Sequence, residues 1–136
     1  MMADKKRILL IDDEKDFCSF VKSNLEQTGE FEVAYATDPD TGINIAKKDA
    51  PDLIFLDILM PKMEGSKVAD ILLNDPCTKN IPLIFLTAIV TEEEIGPRAF
   101  KEIGGYNFIA KPVTTKKLIS CIKMTLEEKE KADYTD

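Results

Sequence analysis

The sequence predicts an α/β domain built around a parallel five-stranded sheet, and three observations support this class. Strand-like and helix-like segments alternate from one end of the chain to the other. Residues 53–56 and 83–86 are continuously apolar, as expected of strands that helices cover on both faces. The length of 136 residues is that of one ordinary domain, and 44% apolar residues are enough to bury a core. The prediction is therefore a doubly wound, three-layer sandwich.

The predicted strands are short segments rich in apolar and β-forming residues. The first is an apolar run that stops abruptly at Asp12-Asp13. The third and fourth lack polar alternation altogether, whereas the second alternates only in part. The five predicted strands cover residues 7–11, 32–36, 53–56, 83–86 and 106–110.

Helical periodicity and capping signals predict a helix after each strand. The first carries Phe17, Val21 and Leu25 at steps of four, and Gly29 ends it. The second begins at Asp38-Pro39, an N-cap followed by a proline at the first helical position. The five predicted helices cover residues 14–28, a segment from residue 38 onward, residues 66–74, residues 92–103, and a segment from a cap at Thr114 or Thr115.

The fourth predicted helix contains Gly96-Pro97 in its first half. Proline removes an amide donor and disfavours helical conformation in the residue before it. We therefore expect this helix to start late or to be mobile.

Composition excludes some classes of function and disfavours others. The chain has 25 acidic and 18 basic residues, and this net charge of −7 argues weakly against nucleic-acid binding, although solubility explains it equally well. No apolar run reaches the ~18 residues of a membrane span, and residues 8–11 are too short for a signal-peptide core. We expect a cytoplasmic protein with no membrane contact.

Cysteine usage agrees with a reducing compartment. Cys18, Cys77 and Cys121 are an odd number without metal-ligand spacing, and the chain has no histidine to complete a metal site. We expect buried or half-buried free thiols.

One domain accounts for the whole ordered sequence. We expect it to cover residues 1–128, followed by a polar, frayed tail at residues 129–136. The sequence shows no internal repeat, linker or second domain, so a separate output domain is not expected.

Polar residues fall where the predicted strands end. Asp12-Asp13 follow the first strand, Asp57 follows the third, Thr87 ends the fourth and Lys111 follows the fifth. In a parallel sheet these positions share the carboxyl edge, where ligands bind at the point at which the strand order reverses. In the flavodoxin-like order 2-1-3-4-5 the first and third strands are neighbours there. The three aspartates would then converge.

Three converging carboxylates require compensation, because two unit charges roughly 4 Å apart repel by about 4 kcal/mol at an effective dielectric of about 20. A hard divalent cation, a proton or the ammonium of Lys111 can supply it. With the hydroxyl of Thr87, these groups can hold a phosphoryl group, and a carboxylate is a competent nucleophile for one. Each residue taken alone has an ordinary explanation as a turn, cap or surface residue.

The chain from residue 6 to residue 126 resembles the receiver domain of two-component response regulators. Four segments carry this resemblance, and their combination and order are specific to the family. They are ILLIDD at residues 8–13, PDLIFLDILMPKMEG at 51–65, PLIFLTA at 82–88 and FIAKP at 108–112.

The resemblance implies a role for each residue of the predicted metal site. Asp57 corresponds to the phospho-acceptor. Asp12 and Asp13 correspond to the acidic pair that holds Mg²⁺, with Mn²⁺ as an alternative, and Asp13 and Asp57 are the expected direct ligands. The backbone carbonyl of Leu59 would complete the protein ligands.

Further roles follow from the same resemblance. Thr87 corresponds to a switch hydroxyl, Phe108 to an aromatic switch residue, and Lys111 to the lysine that contacts the phosphoryl group. The Lys111-Pro112 peptide bond is expected to be cis. Met60-Pro61 and Gly65 correspond to the loop after the acceptor, where glycine would permit a turn.

The resemblance also implies partners. The phosphoryl donor would be a histidine kinase or a histidine phosphotransfer protein, and the signal would pass to a separate downstream protein. The face formed by the fourth helix, the fifth strand and the last helix would bind that target or a second copy of the chain. We expect a signalling phospho-acceptor, with at most slow self-catalysed phosphotransfer and autodephosphorylation, and no direct binding of nucleic acid.

Three alternative classes of protein fit the sequence less well. A haloacid-dehalogenase-type phosphatase needs a second aspartate two residues after the first, where this chain has Leu59. A flavodoxin-like cofactor module needs a Ser/Thr/Gly-rich loop after the first strand, where Asp12-Asp13-Glu14 would repel phosphate. A degenerate receiver that only binds partners would lack site residues, and all five are present.

Overall fold

The computed structural model describes residues 5–58, 60, 63, 65–87, 101–103, 106–111 and 113–134. Strands and helices alternate through most of this part of the chain, as the sequence predicts. The elements in chain order are β1 Lys6–Ile11, α1 Lys15–Gln27, β2 Phe31–Ala36, α2 Pro39–Asp49, β3 Leu53–Asp57, α3 Gly65–Leu73, β4 Leu83–Thr87, β5 Lys101–Ile103, β6 Tyr106–Ala110 and α4 Thr115–Tyr134.

The sheet has the predicted parallel core. Its order is β2-β1-β3-β4-β6-β5, and all of its strands except β5 are parallel to one another. Counted without β5, this is the expected order 2-1-3-4-5, so the predicted doubly wound, flavodoxin-like fold is confirmed. The strand order reverses between β1 and β3, which places a crevice at their carboxyl ends.

The prediction of a fourth helix over residues 92–103 is wrong for its last three residues. Residues Lys101–Ile103 form β5, which pairs antiparallel with β6. The outer edge of β6 offers unpaired backbone groups, and a strand that pairs there satisfies them. Gly104-Gly105 between the two strands is a sequence that disfavours helix and is typical of hairpin connections. The rest of the predicted helix, including Gly96-Pro97, lies outside the described residues.

Side chains alternate between two buried cores, one on each face of the sheet. Ile8 and Leu10 of β1 belong to the core that α1 and α4 cover. Leu9 and Ile11 belong to the core under α2 and α3. This double coverage explains why the central strands carry no polar alternation.

Local signals at the helix ends act as predicted. The Asp38 carboxylate accepts a hydrogen bond of 3.0 Å from the Thr41 N–H, and Pro39 is the first residue of α2. The Thr114 hydroxyl accepts one of 3.1 Å from the Lys117 N–H at the start of α4. Gly29, two residues after the last residue of α1, has a φ of 79°, where a side chain would be strained.

The C-terminal segment differs from the frayed tail that we expected. Helix α4 continues through residues 129–134 and ends at Tyr134. Glutamate, lysine and alanine in this segment are strong helix formers, which explains the extension of a helix already anchored by Leu118 and Ile122. The domain boundary at residue 128 stays a prediction.

The cysteines follow the expectation only in part. Cys18 and Cys121 are buried free thiols, whereas Cys77 is exposed. Cys77 lies in the connection after α3, where its N–H donates to the Asp75 carboxylate at 2.8 Å. Among the described helices, none is long and apolar enough to span a membrane.

Candidate functional site

The register between β1 and β3 brings two aspartates side by side. Ile11 and Leu56 are paired across these strands, and Asp12 and Asp57 are the next residue in each. On the other side of β1, the Asp12 N–H donates to the Ala36 carbonyl of β2 at 3.1 Å, which keeps Asp12 in line with the strand. The two carboxylates therefore meet at the carboxyl edge of the sheet.

Asp13 completes a cluster of three carboxylates. Each of Asp12, Asp13 and Asp57 offers one oxygen, and these oxygens all lie within 4.8 Å of one another. Asp12 is completely buried and Asp57 is 5% exposed, whereas Asp13 is exposed. The cluster thus combines two desolvated carboxylates with one that water and ligands can reach.

Lys111 faces this cluster from the end of β6. Its Nζ donates to Asp12 Oδ2 at 2.7 Å and lies 3.7 Å from Asp57 Oδ2. It also donates to Glu14 Oε1 at 3.1 Å. The Lys111 side chain is only 12% exposed. Carboxylates therefore replace most of the water around this ammonium.

Glu14 was not singled out as a site residue from the sequence. Its carboxylate is 64% exposed and contacts Lys111 from the solvent side. Its N–H donates to Asp12 Oδ1 at 2.9 Å, so Glu14 holds both members of the buried pair. The only sequence signal was its position directly after Asp12-Asp13.

Burial and charge act in opposite directions on the ion pair. Burial raises the pKa of Asp12, and the hydrogen bonds from Lys111 and the Glu14 N–H offset this only in part. Burial would lower the pKa of Lys111, but Asp12, together with Asp57 and Glu14, outweighs it and raises that pKa. The Lys111 charge is therefore secure, whereas the charge on fully buried Asp12 depends on a nearby cation.

Gly65 is required here by a close backbone contact, and not by the turn that we expected. It is the first residue of α3, and its N–H donates to the Ile58 carbonyl at 2.8 Å. A Cβ on Gly65 would lie 2.5 Å from the Asp57 carbonyl oxygen and 2.7 Å from Ile58 Cα. Glycine is needed because α3 starts directly against the backbone of Asp57. Met60 nearby is buried, and Pro61 lies outside the described residues.

The remaining predicted residues are described to different extents. Thr87 ends β4 and pairs with Ala110, the residue before Lys111, while its side chain lies outside the described part. Phe108 is partly buried in the core under α2 and α3, with its ring centroid 5.3 Å from that of Phe85. Leu59 and Pro112 fall outside the described residues, so the carbonyl ligand and the cis peptide bond stay predictions.

The donor set suits a hard divalent cation. Carboxylate oxygens from three side chains, two of them buried, converge within one coordination sphere. Mg²⁺ is typically bound by one or two carboxylates together with water and phosphate oxygens. The exposed side of the cluster, at Asp13, leaves room for those additional oxygens.

Comparisons with known proteins agree with this geometry. The family model of the response regulator receiver domain matches residues 8–123. The phosphate regulon transcriptional regulatory protein PhoB of Klebsiella pneumoniae is 36% identical over 121 residues, which cover 89% of this chain and 52% of PhoB. The response regulator PleD of Caulobacter vibrioides is 34% identical over 86% of this chain and 25% of PleD. The chain spans about half the length of the first relatives it matches.

Solved structures show the same likeness. A CheY-like response regulator receiver domain protein from Methanospirillum hungatei superposes with a TM-score of 0.78 at 26% identity, covering 95% of this chain and 99% of the other. A response regulator from Desulfuromonas acetoxidans superposes with a TM-score of 0.73 at 30% identity, covering 90% and 97%. The family match covers most of the sequence and the whole carboxyl-edge cluster. The chain belongs to the response regulator receiver domain family of two-component signalling.

Proposed function

We propose that this chain is a phospho-acceptor in which Asp57 takes a phosphoryl group from a phosphohistidine in a Mg²⁺-dependent reaction. The observation that carries the proposal is the carboxyl-edge cluster. Three carboxylate oxygens lie within 4.8 Å of one another, and the Lys111 ammonium faces two of them at 2.7 and 3.7 Å. This arrangement supports a role for Asp57 as the nucleophile, for Asp12 and Asp13 as the acidic metal pair and for Lys111 as the cation beside them.

The transfer itself requires an ionised Asp57. One of its carboxylate oxygens attacks phosphorus in line, and an O–P bond forms while the P–N bond of the phosphohistidine breaks. The electron pair of the broken bond remains on the imidazole nitrogen of the donor. Lys111 stabilises the charge on the phosphoryl oxygens, because its Nζ lies within one short movement of Asp57.

Asp12, Asp13 and Asp57 are the residues that would hold the metal, with Asp13 and Asp57 as direct ligands. When bound, Mg²⁺, or Mn²⁺ in its place, supplies positive charge that offsets both the carboxylates and the phosphoryl oxygens. Asp12 is buried and hydrogen-bonded to Lys111, so it would orient the cluster and contribute negative charge toward the metal.

Thr87 and Phe108 are the proposed switch residues. Both lie on strands next to the site, on β4 and β6, which pair with each other. Phe108 is already partly buried beside Phe85, so a small displacement of β4 would alter its packing. The protein-binding face that follows from this switch would contact a separate downstream target or a second copy of the chain.

The chain is proposed to be a signalling protein with slow self-catalysed chemistry at most. Leu59 stands where a phosphatase with a nucleophilic aspartate carries its second aspartate, so this position offers no general acid or base. The aspartyl phosphate would therefore persist long enough to act as a signal. Its donor would be a histidine kinase or a histidine phosphotransfer protein.

Labelling with a small phosphodonor tests the proposal. The parent chain, Asp57→Asn and Asp52→Asn would be incubated with phosphoramidate, with Mg²⁺ or with excess chelator, and the modified residue located by mass spectrometry. Asp52 is the matched control, because it directly precedes the strand that Asp57 ends, and its carboxylate accepts the Arg7 N–H at 2.8 Å. We expect one phosphoryl group on Asp57 in the parent and in Asp52→Asn, only with Mg²⁺. Equal labelling of Asp57→Asn would refute the proposal.

A further inference from the structure

The ring of Phe17 lies beside the lysine of the site. The Lys111 Nζ is 4.6 Å from the centroid of the Phe17 ring, within the range of a cation–π contact. Phe17 belongs to α1, less than one turn after Glu14 in sequence. The resemblance to receivers assigns Phe17 no role, and its spacing with Val21 and Leu25 predicted only a core position.

Lys111 has to form a further contact when a phosphoryl group arrives on Asp57. Its ammonium donates to Asp12 at 2.7 Å and to Glu14 at 3.1 Å, whereas 3.7 Å separates it from Asp57 Oδ2. Asp12 and Glu14 occupy two of the three N–H donors of the ammonium, so contact with a phosphoryl group on Asp57 requires the ammonium to rotate or shift toward Asp57. Those acceptors hold the ammonium in the resting position.

A ring face can hold the ammonium in both positions. A carboxylate acceptor fixes a donor in one direction, whereas the face of an aromatic ring attracts a cation without a directional hydrogen bond. A cation can therefore slide across the face while remaining bound. The low exposure of the Lys111 side chain, 12%, strengthens this attraction because little water competes for the ammonium.

Phe17 is itself held firmly enough to act as a support. It is partly buried and packs against the core between the sheet and helices α1 and α4. Its neighbours Cys18 and Val21 are completely buried, and the Cys18 thiol donates to the Asp12 carbonyl at 3.3 Å. The start of α1 is thus tied to the same aspartate that binds Lys111.

We propose that Phe17 is a positioning residue for Lys111, whose ring keeps the ammonium at the mouth of the acidic cluster and guides it toward the phosphoryl group on Asp57. The inference rests on the proposed phospho-acceptor function. The ordinary alternative is that Phe17 only fills space, in which case another apolar side chain would serve equally well.

Two readouts on the full chain separate these explanations. The first is the NMR chemical shift of the Lys111 side-chain methylene protons, which the Phe17 ring current moves upfield. The second is the rate of Asp57 labelling by phosphoramidate with Mg²⁺. The variants are Phe17→Leu, which keeps apolar volume but removes the ring, and Phe17→Tyr, which restores it. Phe20→Leu is the matched control, because Phe20 lies on the same helix but is 51% exposed.

The expected result is loss of the upfield shift in Phe17→Leu and labelling about three- to tenfold slower than in the parent. Phe17→Tyr should recover both, and Phe20→Leu should match the parent in both. Urea unfolding of each variant establishes that it is folded, and Phe17→Met repeats the test should Phe17→Leu unfold.

Failure of this inference is distinct from failure of the proposed function. A parent chain that does not label on Asp57 would overturn the proposed function and this role with it. A parent that labels while Phe17→Leu labels at the same rate, or Phe17→Leu with an unchanged Lys111 methylene shift, would overturn the positioning role alone.

Discussion

The two ends of the sheet each carry a lysine–carboxylate pair, and their surroundings differ. At the carboxyl edge, Lys111 and Asp12 meet at 2.7 Å with side chains 12% and 0% exposed. At the amino edge, Lys123 and Glu30 meet at 3.2 Å with both side chains 52% exposed. The amino-edge pair borders an open cavity of about 520 Å³. The same pair of charged groups is buried at one end and hydrated at the other.

The difference shows that burial determines how much stability the protein loses when one partner of such a pair is removed. Water screens an exposed pair, so removing one partner changes stability by about 1 kcal/mol or less. Removing one partner of a buried pair leaves an uncompensated charge, at a cost of about 3–5 kcal/mol. The carboxyl edge therefore depends on each of its charges, whereas the amino edge tolerates the loss of one.

The largest expected effect is that of replacing the buried lysine. Lys111→Met should slow phosphoramidate labelling of Asp57 by about 100-fold, as expected when one preorganised donor to a charged group is removed. It should also lower the free energy of unfolding, because Asp12 loses its cation. Lys123→Met, the matched change at the exposed pair, should leave the labelling rate unchanged and lower the free energy of unfolding by about 1 kcal/mol or less. Equal losses in the two variants would break the comparison.

The next effect concerns the two glycines at opposite ends of the sheet. Gly65→Ala should lower the free energy of unfolding by about 2–3 kcal/mol, because its Cβ would press on the backbone of Asp57 and Ile58. Gly29→Ala should cost about 1 kcal/mol, since space is open there and only the positive φ is strained. Urea unfolding measures both. A smaller loss for Gly65→Ala than for Gly29→Ala would contradict the close approach at the acceptor.

Removing the exposed member of the carboxylate cluster should weaken metal binding and yet stabilise the metal-free protein. Asp13→Asn should reduce Mg²⁺ affinity by about tenfold, or ~1.4 kcal/mol, measured by calorimetric titration. Without metal it should raise the unfolding midpoint, because it removes a charge close to two others. Glu30→Gln at the amino edge should leave Mg²⁺ affinity unchanged. A tenfold loss in that control would place the metal elsewhere.

The two buried cysteines make the stability of the protein depend on pH. Burial, with the nearby Asp12 charge, raises the pKa of Cys18 from 9.0 to about 12, and burial raises that of Cys121 to about 12. Between pH 9 and pH 12 the unfolded chain has lost thiol protons that the folded chain retains. The unfolded state then binds fewer protons, so stability should fall as pH rises from 9 toward 12.

Urea unfolding at pH 9 and at higher pH measures that fall in stability, and alkylation of the folded protein at pH 8 tests the burial that causes it. Iodoacetamide should modify exposed Cys77 and leave the buried thiols Cys18 and Cys121 unreacted until denaturant is added. Rapid modification of Cys18 in the folded chain would show that the carboxyl edge is more open than its burial indicates.

Much of the fold followed from patterns that are local in the sequence. The apolar runs of β3 and β4 predicted doubly covered strands, and Asp38-Pro39 predicted the start of α2. The convergence of the three aspartates followed from strand ends together with the expected strand order, because parallel strands share one carboxyl edge. These predictions needed no knowledge of side-chain positions.

Other features depend on contacts between distant parts of the chain. β5 forms because the edge of β6 is available, which residues 101–103 alone do not reveal. Gly65 is required by its distance to the Asp57 backbone, and a sequence does not record such a distance. The contacts of Glu14 and Phe17 with Lys111 join residues almost a hundred positions apart. Their roles became visible only with the side chains in place.

The most direct test of the central claim is a crystal structure of the chain grown with Mg²⁺ and beryllium trifluoride, a mimic of the phosphoryl group. We predict the mimic on the Asp57 carboxylate, the cation held by Asp13 and Asp57 with Asp12 close by, and the Lys111 Nζ within hydrogen-bond distance of the mimic. A mimic on another carboxylate, or a cation bound away from these three aspartates, would contradict the proposed site.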